Sequence, residues 1–61
     1  MNLQERLSKE QFEKVDALIV ESKKKYPNCT AGYIVQIVSD ETGIEIDYKE
    51  VLERLEFHKK K

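Results

Sequence analysis

Apolar residues return along this chain at intervals of three and four rather than two, a spacing that predicts helices. Phe12, Val15, Leu18, Ile19, Ser22 and Tyr26 form one stripe, and Ala31, Ile34, Ile37, Val38 and Glu41 form a second. Tyr48, Val51, Leu52 and Leu55 share a third face, with Lys49, Glu50, Glu53 and Arg54 opposite them. Ile44-Glu45-Ile46 is the one stretch that could be locally extended, in the connection before the last helix. The pattern predicts an all-α fold, a small three-helix bundle with helices near 9–25, 31–42 and 48–58. Residues 1–7 form an N-terminal extension anchored by Leu3 and Leu7, residues 8–58 the bundle, and residues 59–61 a basic tail.

The boundaries carry their own chemistry. The first backbone N–H groups of a helix lack partners within it, and Ser, Thr and Asp side chains supply them. Ser8 with Gln11, and Asp47 with Glu50, have the spacing of capping boxes, and Leu7–Phe12 and Ile46–Val51 the spacing of hydrophobic staples. Thr30 is placed to cap the middle helix, and Gly43 to end it in the left-handed conformation. Ile44, just past that glycine, is placed to fold back over Val38. Lys23, Lys24 and Lys25 crowd the last turn of the long helix, where positive charge suits the carbonyl end. Pro27 then prevents continuation and restrains Tyr26.

Composition narrows the class. Sixty-one residues make one domain, and a chain of this size hides only about 60% of its unfolded surface, so a partner or self-association would help it. With 39% hydrophobic and 38% charged residues it is lean in apolar mass, yet too periodic for disorder. A net charge of −1 gives no general attraction to nucleic acid or anionic membrane. The single cysteine cannot form an intrachain disulfide, the charged first twenty residues contain no signal-peptide core, and no run has the length of a membrane span. A cytoplasmic or nuclear protein is expected.

The residue types that carry catalysis are sparse. Cys29 and His58, the only thiol and imidazole, fall short of a zinc set. Cys29 reads as a small buried hydrophobe and His58 as a solvated side chain among lysines. Ser8, Ser22 and Ser39 have no accompanying His–Asp pattern, and there is no glycine-rich phosphate loop. No enzyme, cofactor or metal is expected. The apolar residues left over are Tyr33 and Phe57, which point away from their own stripes. Either they cover neighbouring helices or they contact another chain.

Two resemblances bear on function. The stretch from Tyr26 to Leu55 resembles a CUE domain, the small ubiquitin-binding bundle related to UBA domains. Lys25-Tyr26-Pro27 stands where that family carries Met-Phe-Pro after its first helix, and Val51-Leu52 where it carries a di-leucine. The resemblance implies that Tyr26, Pro27, Val51 and Leu52 meet the hydrophobic patch of ubiquitin, with Tyr33 and Phe57 as further contacts. The other reading of Tyr26, Val51 and Leu52 is core packing.

The stretch Ile37-Val38-Ser39-Asp40-Glu41-Thr42-Gly43-Ile44 resembles the first helix and turn of a helix-turn-helix DNA-binding motif. That motif expects an apolar residue where Lys49 stands, and Val51 supplies one only across a turn two residues longer. Glu50, Glu53 and Glu56 on the would-be recognition helix oppose contact with phosphate. The expected function is therefore a non-enzymatic protein-interaction module, of the ubiquitin-binding kind. The alternatives are a small DNA-binding regulator and a homodimeric structural or inhibitory protein.

Overall fold

The computed structural model describes residues 3–60, and within that range the side chain of Leu3 is not described. The anchoring expected of that side chain and the tail position Lys61 therefore lie outside the described residues. Four helices follow one another: a single turn α1 (Leu3–Arg6), the long α2 (Lys9–Lys25), α3 (Ala31–Thr42) and α4 (Tyr48–Lys59). The three long ones pack pairwise into a small all-α bundle, as the periodicity predicts. Its radius of gyration is 10.5 Å, against about 10.5 Å expected for a compact chain of this length.

Local chemistry sets each boundary. Ser8 Oγ accepts from the Gln11 N–H at 3.2 Å, and Gln11 Oε1 accepts from the Ser8 N–H at 3.2 Å, closing the first capping box. Tyr26 ends α2, its N–H reaching the Ser22 carbonyl at 2.9 Å before Pro27 turns the chain. Thr30 Oγ1 accepts from the Tyr33 N–H at 3.2 Å and starts α3. Gly43 stops it at φ 73°, donating to the Ser39 carbonyl at 2.8 Å. Thr42 Oγ1 reinforces this stop by donating to the Val38 carbonyl at 2.7 Å and accepting from the Ile44 N–H at 3.2 Å. At α4, the Glu50 half of the capping box holds, with Oε1 accepting from the Asp47 N–H at 2.8 Å.

The core is made of Val15 and Ile19 from α2, Ile34 and Val38 from α3, Ile46 from the connection and Val51 from α4. Leu7, Phe12, Leu18, Cys29, Ala31, Val35, Ile44 and Leu55 pack around it half-buried. Cys29 thus sits as the small hydrophobe that its position suggests.

α4 departs from its apolar pattern. Tyr48 and Leu52, expected on the inner face, are 52% and 51% exposed, while Glu50, expected outside, is buried. The reason is electrostatic. Glu50, Arg54 and His58 stand at i, i+4 and i+8 on one line of the helix, and that line faces α1 and α2. Arg6 Nη2 lies 3.5 Å from Glu50 Oε1, Arg54 Nε donates to Asp16 Oδ1 at 2.7 Å, and His58 Nε2 is 2.9 Å from Asp16 Oδ2. With this polar line turned toward α1 and α2, Val51 and Leu55 remain inside while Tyr48 and Leu52 face out. Along α4, Arg54 meets Phe12 and Asp16 of α2, and His58, one turn on, meets Asp16.

Candidate functional site

Tyr26 and Tyr33 come together where α2 ends and α3 begins. Their rings meet edge to face, with centroids 5.7 Å apart and planes 88° from parallel. They are 42% and 48% exposed, so the pair forms an aromatic wall rather than part of the core. The cause lies in the turn: Pro27 stops α2, Thr30 restarts the chain, and a short connection holds the two helix ends side by side. Lys25 Nζ lies 5.7 Å from the centre of the Tyr26 ring, within reach of a cation–π contact.

From this wall a groove runs between the helices over Leu18, Ser22 and Ile37, with Glu21, Lys25 and Glu41 at its edges. Ser22, read from the sequence as a stripe position, is buried at the floor of the groove. Glu21 and Glu41 are exposed and form no ion pair among the described residues.

The remaining expected contact residues separate from this site. Pro27 is exposed in the turn beside Tyr26. Leu52 and Phe57 line a shallow depression on the outer face of α4 with Lys49, Glu53, Glu56 and Lys60, and that depression shares no residue with the tyrosine groove. Val51 must be withdrawn from the contact set. It is fully buried in the core, because it is the staple partner of Ile46 and the residue of α4 that points most directly inward.

His58 also requires correction. It is half-buried and held by Asp16, not a solvated lysine-tail neighbour. Around it a polar clasp joins α2 to α4. The Arg54 guanidinium lies between two rings, 4.9 Å from the centre of Phe12 and 4.5 Å from that of Phe57, while bonding Asp16. The Phe57 ring in turn meets His58 edge to face at 5.4 Å. Burial alone would raise the Asp16 carboxyl, but the hydrogen bonds from Arg54 and then His58 outweigh it and hold the group below the usual carboxylate value.

A carboxylate–imidazole pair invites a catalytic reading. The surface depression beside it is lined by Phe12, Glu13, Asp16, Ala17, Val20, Glu21, Lys24 and His58, with no hydroxyl or thiol for the imidazole to activate. The pair's visible work is to fasten two helices. No group of three or more metal-ligating side chains converges among the described residues. No helix among them is long and apolar enough to cross a membrane.

Comparison of the chain with protein-family models, with curated proteins and with solved structures gave no match.

Sequence reasoning found the tyrosines and the proline but not the groove that joins them. Glu21 looked like an ordinary solvated position, and Ser22 and Glu41 like polar members of the two stripes, of which Glu41 proves exposed. The available signal was that both stripes carry a polar residue, Ser22 in one and Glu41 in the other.

Proposed function

We propose that this protein is a non-enzymatic protein-interaction module that docks a partner through the α2–α3 face, with Tyr26, Pro27 and Tyr33 as its principal contacts. The observation that carries this reading is the half-exposed tyrosine pair beside a partly apolar floor. Tyrosines of this kind are the side chains most often found at the energetic centre of protein interfaces, since they cover large area with few torsions to freeze. The bundle core is complete without them. Its buried members are all aliphatic, so exposure of the rings is not a shortfall of the fold.

Ubiquitin is the first partner to test, because Lys25-Tyr26-Pro27 stands where the CUE family carries its first contact motif. In this reading Tyr26 and Pro27 make the main contact, and Leu52 and Phe57, which line a separate depression, take no part. A cytoplasmic or nuclear setting accompanies it.

The test is an amide-shift titration of the labelled chain with ubiquitin, and separately with a random DNA duplex. Ubiquitin-dependent shifts at Tyr26, Asn28, Tyr33 and Ile37, lost in Tyr26→Ala and Tyr33→Ala variants that keep their helical spectrum, are the expected result. Salt-sensitive shifts along α4 with the duplex, and silence with ubiquitin, would overturn it in favour of a DNA-binding role.

A further inference from the structure

We propose that the α2–α3 groove receives a basic amphipathic helix of a partner protein, whose apolar ridge lies on Leu18 and Ile37 and whose cation lies against Glu21 and Glu41. The proposal deepens the docking reading above and rests on the groove being the contact face. Its premises are the groove's shape and its charge.

The walls are two antiparallel helices. The register that sets Tyr26 across from Tyr33 sets Leu18 across from Glu41. From Leu18 to Tyr26 the groove extends roughly 12 Å, at about 1.5 Å per residue, which is two helical turns. A third helix presents its i and i+4 side chains at about half that spacing, so two ridge residues fill the floor, as in other helix-in-groove complexes. The tyrosine wall closes one end.

The charge is asymmetric along the length. Lys25 sits at the tyrosine end, already over the Tyr26 ring. The carboxylates lie toward the other end, one on each wall, and neither has an ion-pair partner among the described residues. Glu21 could reach Lys25 at i+4, yet Lys25 turns to the ring instead. An arginine or lysine entering at the far end would meet two carboxylates that no cation among the described residues pairs. Ser22 lines the floor between them and is itself largely buried.

The experiment uses the full chain and three synthetic stapled helical peptides with the same leucines at i and i+4. They differ only in the flanking position, which is Arg, Gln or Glu. The expected result is shifts at Ser22, Tyr26, Tyr33 and Ile37 with the Arg peptide, bound about five- to tenfold more tightly than the Glu peptide. That preference should shrink as salt rises from about 50 mM to about 500 mM. In the double variant Glu21→Lys, Glu41→Lys the order should invert to favour the Glu peptide. Both positions are exposed, and a lysine in the last turn of α3 suits the helix end, so the variant should fold.

Equal affinities, a Glu preference in the wild-type chain, no binding by any peptide, or shifts confined to α4 would overturn the proposal. Ubiquitin binding at the groove with all three peptides silent would remove the helix and leave the docking reading intact.

Discussion

At the scale of single residues, Asp16 and the two glycines give the sharpest expectations. Asp16 titrates below its unfolded counterpart, so its contribution is complete above the ordinary carboxylate range, near pH 4, and is lost as pH falls through the folded value. Urea unfolding across pH should therefore show Asp16→Asn less stable by about 1–3 kcal/mol at neutral pH, with a flatter acid limb than the wild type. An acid limb of unchanged slope would assign the loss to other carboxylates. Gly43 and Gly32 should respond oppositely to alanine. Gly43 sits at φ 73° with open space where a Cβ would go, so Gly43→Ala costs about 1 kcal/mol through the backbone alone. Gly32 is helical, and a Cβ there would meet only Thr30 Oγ1 at an ordinary 3.8 Å, so Gly32→Ala should stabilise by up to about 1 kcal/mol. Paired melting curves check both signs at once.

At the scale of elements, the caps made the helices legible. Ser8, Thr30, Gly43 and Glu50 all act as their spacing predicts, and the long helices begin and end within a residue of expectation. Those signals are local, since each joins residues a few positions apart. What escaped the sequence was the rotation of α4, decided by pairs 38 and 42 residues apart. Asp16, Arg54 and His58 leave no periodic trace, because a charge that faces another charge across the bundle looks identical in sequence to one facing water. The tyrosine groove was half legible for the same reason. Tyr26 and Pro27 announce a turn, but only the packing of α2 on α3 brings Tyr33 and Glu41 to the same cleft. The packing energy itself sits in few side chains. Ile34→Ala should cost about 2–5 kcal/mol out of a total near 3–9 kcal/mol for this length, so circular dichroism should find the variant largely unfolded at 37 °C. A native-like melt would mean that Val38 and Ile19 close over the gap.

At the scale of the whole molecule, the bundle has two kinds of seam. α2 and α3 meet mainly through apolar side chains, with an open groove along the contact. α2 and α4 share the apolar core and add to it the polar clasp, where Arg54 lies near the Phe12 and Phe57 rings and bonds Asp16. The second seam should be the more sensitive to Arg54→Lys, since an ammonium cannot stack flat between two rings or present a planar fork. A drop of several degrees in melting temperature with the helical content unchanged is expected by circular dichroism. The first turn also reaches across the molecule. Arg6 donates to the carbonyl of Glu45, 39 residues away, at 2.9 Å and faces Glu50, whose second carboxylate oxygen is buried without a partner among the described residues. Clipping the chain just ahead of Ser8 would thus strand an anion in the interior at the start of the last helix. Damage done at the leading end should be read out first as accelerated amide exchange at the opposite end of the sequence, around Ile46 to Val51.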